Sequence, residues 1–330
     1  MEATALALLE HDPTIRPKLD IVACGSTLGN LLRFVRKGSK PFRILVELVD
    51  GVVFLVRREN SPTELIPDVY GYGHTFPEAY TTWDADVKGS ASHQRLIQYA
   101  FAGLRLAVRF EGDGYIAETQ DISPPSRSSN TTSVDDLIPA LIAGGVSTQV
   151  APGDQVKVKH GGEIVPQNSI FDLKTRSIKK LGDDTLDQEI PRLWVAQISK
   201  FILAYHTRGV FNQIETKDVR KEVQEWERVH STELSHLAAL MHRIVSEVRT
   251  RADGKLELCC DGTGKLEVRE QRSEAGDALS MQTRARWVLS QEASPDEEEI
   301  AWVDSGADED KDEDYTACSF DCGYCGRCTY

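Results

Sequence analysis

The sequence predicts a mixed α/β domain over roughly residues 18–250. Strand-like runs of period two alternate with segments of helical spacing, in the order β-rich, helix, β, helix, β, helix. Asp50-Gly51 separates the apolar runs ILVELV and VVFLVRR within 42–58, a strong hairpin signal. The next strand is expected over 104–116, interrupted by Gly112-Asp113-Gly114. Residues 123–133, rich in Ser, Pro and Thr, read as a loop, and Asp135-Asp136 precede a short helix over 137–143 that Gly144-Gly145 ends. Strands are expected over 155–160 and 168–175. Leu193, Val195, Ile198, Ile202 and Leu203 then predict a helix over 190–205, with Pro191 tolerated in its first turn. A strand over 210–216 and a long polar helical region over 218–249 complete the domain. Residues 1–17 read as a short lead, 251–291 as a loosely ordered appendage, and 292–330 as a disordered acidic tail. No internal repeat is present.

With 330 residues, 40% apolar and 27% charged, the chain can bury a sizeable core, and its composition excludes collagen-like, wholly disordered and coiled-coil classes. The net charge is −14, but residues 292–314 hold twelve Asp or Glu against one Lys, leaving −3 for everything else. The acidity therefore describes the tail and says little about whether the folded body meets a polyanion. No apolar run approaches the ~20 residues of a membrane span, and no signal peptide is evident. Seven cysteines, four of them in the last thirteen residues, do not form a secreted disulfide framework. The expectation is an intracellular protein, nuclear or cytoplasmic, without a membrane partner.

Three short segments carry chemistry. Glu111-Gly112-Asp113 places two carboxylates at i and i+2, on one face of an extended strand. Asp172-Leu173-Lys174 repeats the spacing with an acid and an amine, and Trp194-Val195-Ala196-Gln197 lies on the following helix. Carboxylates on neighbouring strands suit the all-oxygen, partly hydrated site of Mg2+ or Mn2+. A lysine two residues on orients water and meets charge developing on a phosphate. Taken singly, Glu-x-Asp also reads as a solvated face and Asp-x-Lys as a cross-strand ion pair. In this order they match the pattern of PD-(D/E)XK nucleases: an α/β fold with a mixed sheet flanked by helices.

The block Gly71-Tyr72-Gly73-His74-Thr75-Phe76-Pro77-Glu78 extends the likeness. Over residues 20–225 the sequence resembles the Rai/Dom-three-Z decapping exonucleases, which act on RNA 5′ ends. The resemblance places an active-site glutamate at Glu78, the Glu-x-Asp motif at Glu111 and Asp113, the acid-x-Lys motif at Asp172 and Lys174, and a site glutamine at Gln197. It implies that Glu78, Asp113 and Asp172, with the backbone carbonyl of Leu173, hold Mg2+ or Mn2+. Lys174 and Glu111 would position water, and Gln197 would hydrogen-bond a phosphate or the Lys174 amine. RNA 5′ ends are the implied substrate, a nuclear 5′–3′ exonuclease the implied partner. Lys157, Lys159, His160, Arg176, Lys179 and Lys180 form a candidate basic rim, read equally well as solvated strand ends. Two departures stand out: Ala23-Cys24-Gly25 occupies the place of an early Arg-Gly motif, and Asp172 stands where Glu is usual. Losing that arginine weakens phosphate binding and favours a non-catalytic relative that binds RNA ends or a protein partner. The amino-terminal portion usual in the family is expected to be short here. The chain also resembles a fungal group sometimes labelled geranylgeranyl pyrophosphate synthetase, in which the Cys-rich ending is typical.

Other motifs compete. Asp183-Asp184-Thr185-Leu186-Asp187 matches the DDxxD pattern of prenyl diphosphate synthases, but such enzymes are all-helical and need a second aspartate-rich motif, so a loop is expected. Cys318, Cys322, Cys325 and Cys328 form a candidate structural Zn2+ site, with a reactive thiol tail as the alternative. Cys318, Cys322 and Cys325 also match a radical S-adenosylmethionine motif, but that motif needs a long barrel after it and only five residues follow in this sequence, so the match is not expected to be functional. Adjacent Cys259 and Cys260 read as core or surface thiols, Trp83 and Trp194 as core or site-wall residues, and His74 as a hydrogen-bonded turn residue.

Overall fold

The two sequence periodicities resolve into strands and helices in the computed structural model, which describes residues 1–58, 72–73, 75–90, 92–117 and 156–289. The hairpin forms as expected: β2 (Phe42–Val49) and β3 (Val52–Arg58) pair antiparallel, Val49 opposite Val52. Asp50 and Gly51 both take positive φ, 48° and 86°, which a two-residue turn of matching twist requires. β1 (Ile21–Cys24) runs parallel to β3 on one side and to β5 (Leu104–Glu111) on the other; β4 (Gln94–Phe101) closes that edge. β10 (Lys255–Cys260) and β11 (Leu266–Arg269) extend the opposite edge. The order is β11-β10-β2-β3-β1-β5-β4. A second sheet, β6-β7-β8-β9, joins β6 (Gly114–Tyr115), β7 (Ile170–Ser177), β8 (Lys200–Thr207) and β9 (Val210–Asp218). The chain passes from the first sheet to the second at Gly112-Asp113, one half of the acidic motif.

Alternation along the central strands feeds two cores. Ile21, Ala23, Val53, Leu55, Leu106 and Val108 face one side of the seven-stranded sheet. They pack with α2 (Gly25–Val35), α4 (Thr185–Ala196), α5 (Arg220–Val229) and α6 (Ser231–Thr250). Val22, Phe54 and Ala107 face the other side, under α1 (Glu2–His11) and α7 (Met281–Leu289), with Trp287 fully buried against Phe54. The result is the expected mixed sheet flanked by helices. The segment Ala117–His160 clusters as a separate unit, and its described residues, 117 and 156–160, carry no regular secondary structure.

Several expectations are corrected. The helix foreseen over 190–205 ends at Gln197, whose φ of +52° closes α4, and the aromatic and β-branched run FILAYH continues as β8. Apolar residues at helical spacing in a strand buried on both faces misled the reading. The polar helical region divides at His230 into α5 and α6. No strand forms over 156–160, where Val156 and Val158 are both exposed and gain no buried face. Residues 251–289 are integral instead of loosely appended: β10 pairs along β2 from Lys255 opposite Glu47 to Cys260 opposite Phe42. Buried Glu47 accepts the Ala278 N–H at 2.6 Å and pairs with Arg284, so these residues neutralise a core carboxylate. The lead is likewise structured, α1 being tied to the α7 region by Glu2 to Ser280 and Thr283 and by Glu10 to Arg286. The helix over 137–143, His74, the acidic tail and the Cys318–Cys328 cluster lie outside the described residues.

One core carboxylate sets a pH dependence. Glu227 of α5 is buried and accepts a hydrogen bond from Trp194 Nε1 at 3.0 Å; burial outweighs that bond and pushes its pKa to about 7. Because the raised value belongs to the folded state, stability falls as pH rises from the ordinary carboxylate range through about 7, by roughly 2–3 kcal/mol. Glu227→Gln keeps the acceptor and removes the charge. Urea unfolding should find the variant more stable than wild type by that amount at pH 8 and equal to it at pH 4.

Candidate active site

The site is built where β6, β7 and α4 meet. Along β7, Phe171 and Leu173 point into a small core with Phe76, Ile202 and Ala204, while Asp172 and Lys174 take the opposite face. That face lies under α4, whose amino end is capped by Asp184 Oδ1 accepting the Asp187 N–H at 3.1 Å. Asp184 of the DDxxD segment is thus a helix cap, in a fold that is not all-helical. Gly114 pairs with Phe171, and a Cβ at Gly114 would fall 2.5 Å from the Phe171 ring, so only glycine lets β6 seat here.

This arrangement brings Asp113 to β7: its Oδ2 accepts the Leu173 N–H at 2.6 Å. Asp172, 3% exposed, has its pKa pushed to about 7, first by burial and then by Asp113 and Glu189 nearby, against the opposing pull of Arg192 and Lys174. Burial also raises Asp113, despite the Leu173 bond, and neighbouring Glu111 adds to the rise. Two carboxylates thus share one buried patch with more negative charge than their surroundings balance.

α4 supplies the groups that the sequence reading missed. Glu189 Oε1 sits 2.7 Å from Lys174 Nζ and 3.7 Å from Arg176 Nη2. Arg192 Nη2 lies 2.5 Å from Asp172 Oδ1 and 3.2 Å from Glu189 Oε2. Glu189 and Arg192 are one turn apart on a helix following the acid-x-Lys strand, and this i, i+3 pairing was the available signal.

Other expected residues are placed differently. Glu78 is exposed in the first turn of α3 (Thr75–Tyr80), which is anchored by Phe76 packed on Phe211. Gly73 approaches Thr175, so the block reaches the carboxyl half of β7. Glu111 is exposed at the end of β5. Gln197 is buried and donates to Trp194 O at 2.6 Å, capping its own helix instead of reaching Lys174. Trp194 is a core residue, Trp83 is exposed, Cys260 is buried and Cys259 half-buried. Arg176 joins the site through Glu189, whereas Lys179 and Lys180 follow on the 3-10 turn Ile178–Lys180. Among the described residues no three Asp, Glu, His or Cys side chains converge to hold a metal ion. Two carboxylates nevertheless fit a hard cation that keeps most of its water, and the Arg192 guanidinium on Asp172 shows that the patch accepts positive charge.

Strand order and helix placement define an α/β protein with a mixed sheet flanked by helices, and solved structures share the fold. Rai1 of Scheffersomyces stipitis superposes with a TM-score of 0.57 at 14% identity, over 87% of this chain and 80% of that one. Rai1 of Candida albicans in complex with pU5-Mn2+ gives 0.56 at 12%, over 87% and 80%. S. stipitis Rai1 in complex with (3'-NADP)+ and calcium ion gives 0.56 at 13%, over 87% and 79%. No curated protein matches the sequence. A family model described as a domain of unknown function, DUF8563, matches residues 4–261, and the chain belongs to that family. No described helix is long and apolar enough to cross a membrane.

Proposed function

We propose that this protein is a metal-dependent hydrolase of RNA 5′ ends, of the decapping and 5′–3′ exonuclease type. The observation that carries the reading is the Asp113–Asp172 pair, Asp113 just before β6 and Asp172 with Lys174 on β7, in a fold shared with Rai1. Asp113 and Asp172, with the Leu173 carbonyl, would hold Mg2+ or Mn2+. When bound, such an ion polarises the phosphoryl group and lowers the pKa of water.

The chain's own residues do the rest. Lys174, half-buried, presents N–H donors to the phosphate oxygens and to the attacking water. Glu189 fixes that amine through the 2.7 Å ion pair, which holds the lysine side chain on the Asp172 face of β7. Glu111, exposed at the end of β5, would accept a proton from water, and Arg176 would add charge at the rim. Gln197 serves indirectly, by ending α4 so that β8 can start. Hydrolysis that leaves a 5′-monophosphate supplies a 5′–3′ exonuclease, and a nuclear enzyme of that class is the partner this reading expects.

A second reading, a non-catalytic relative that binds RNA ends, is favoured by two observations: Arg192 already neutralises Asp172, and Cys24 stands in the early motif, bonded to Thr27 Oγ1 at 2.9 Å. The test uses one RNA sequence, 3′-labelled and carrying a 5′-hydroxyl, monophosphate, triphosphate or cap, with Mn2+ or with EDTA. Metal-dependent shortening or end release that depends on the 5′ group supports the hydrolase. Retention of RNA without turnover supports the binder. Prenyl diphosphate synthesis finds no support in this fold.

A further inference from the structure

We propose that Arg192 is an exchangeable counter-cation. It holds Asp172 when no divalent ion is bound, gives Asp172 up when the ion enters, and then offers its guanidinium to an RNA phosphate. The inference rests on the metal-site reading above and extends it to a residue that the sequence motifs do not mark.

Geometry supports the exchange. Asp172 is almost fully buried, yet its charge partner is half-exposed: the Arg192 side chain enters from solvent, with 50% of its surface accessible. Glu47 and Arg284 share that burial pattern; what sets Asp172 apart is a second carboxylate, Asp113, held against the same strand by the Leu173 N–H. Here one nitrogen, Nη2, touches both Asp172 at 2.5 Å and Glu189 at 3.2 Å, so the fork bridges two carboxylates from the rim. Glu189 keeps Lys174 and Arg176 as partners if Arg192 leaves, so it is not stranded. Asp172 would be stranded without a replacement cation, because its carboxylate is almost fully enclosed and the Arg192 guanidinium is its paired cation. A divalent ion held by Asp113 and Asp172 meets that need and excludes the guanidinium by charge and by space. The freed side chain sits on α4 at the mouth of the patch, and its planar fork matches a phosphate.

The two cations compete, so removing one tightens the other by the free energy of the contact given up. Charge-assisted bonds of this kind correspond to roughly ten- to hundredfold in affinity. The experiment measures Mn2+ binding to the full chain by electron paramagnetic resonance, for wild type, Arg192→Gln, Arg192→Lys and Arg176→Gln. Arg176→Gln removes the same charge beside Glu189 without touching Asp172. At saturating Mn2+, affinity for a 5′-phosphorylated oligouridylate with phosphorothioate linkages is then measured, and circular dichroism confirms each fold.

The expected result is Mn2+ binding roughly tenfold or more tighter in Arg192→Gln, intermediate in Arg192→Lys, and within threefold of wild type in Arg176→Gln. RNA binding by Mn2+-loaded Arg192→Gln should weaken about three- to tenfold. Equal Mn2+ affinity in wild type and Arg192→Gln overturns the exchange and leaves the metal-site reading standing. An equal gain in Arg176→Gln also overturns it, since general charge would then suffice. Tighter Mn2+ with unchanged RNA affinity overturns it as well, reducing Arg192 to a plug. Absence of Mn2+ binding in every variant removes both the exchange and the metal site.

Discussion

On the proposed hydrolase reading, Asp172→Asn should lower the rate of RNA 5′-end hydrolysis by roughly 10²–10³-fold while leaving the fold as stable as wild type near pH 7. The two halves of this expectation have one cause. Asp172 is buried among acids, and its ionised form is so poorly tolerated that its pKa rises to about 7. Asparagine keeps the shape and removes the charge, so the folded protein loses a cost as well as a partner for Arg192. Arg192 retains Glu189 at 3.2 Å. Glu227 is as strongly perturbed in the core; Asp172 differs in lying beside Asp113 and Lys174, the grouping that marks a functional-site candidate. Lys174→Ala produces a loss of the same order, and the double variant adds little, because groups that act on one phosphate are not additive. Steady-state kinetics together with thermal unfolding check both halves; hydrolysis within threefold of wild type in Asp172→Asn removes Asp172 from the machinery.

Trp287→Ala destabilises the protein by about 3–5 kcal/mol, a large part of the ~5–15 kcal/mol that folded domains have in total. Trp287 is fully buried, with its ring 5.3 Å from Phe54 in an edge-on contact, and Leu8, Leu9, Leu19 and Leu279 belong to the same core. If residues beyond 250 were an appendage, the substitution would cost well under 1 kcal/mol. Urea unfolding followed by tryptophan fluorescence and circular dichroism measures the difference. The same core explains why the buried Glu47 finds Arg284 and the Ala278 N–H beyond Thr250.

Local chemistry made part of this legible from sequence. Asp50-Gly51 announced its hairpin because few residue pairs accept positive φ twice in succession. Asp172 and Lys174 were legible because i, i+2 spacing on β7 forces side chains to one face, whereas Glu111 ends β5 and Asp113 lies in the link to β6, so those two acids do not share a strand. Long-range pairing was not legible. β10 is six residues long, and its place beside β2 is set by partners more than 200 positions away. Residues 198–205 satisfied a helical spacing by coincidence, and the positive φ of Gln197 that ends α4 has no signature in a glutamine. Glu189 and Arg192 were missed because a charged pair one turn apart on a helix usually faces solvent; only the fold shows that Asp172 lies beneath them.

In the proposed function, Asp113, Asp172 and Lys174 would serve hydrolysis of RNA 5′ ends with a divalent ion. The most direct test incubates purified full-length protein with Mn2+ and 5′-labelled triphosphate, monophosphate and capped RNAs, beside the Asp172→Ala/Lys174→Ala double variant. The account predicts release of the labelled 5′ product by wild type, its suppression by EDTA, and its absence in the variant. Release by both proteins alike, or by neither while the RNA stays intact with Mn2+ present, would contradict it.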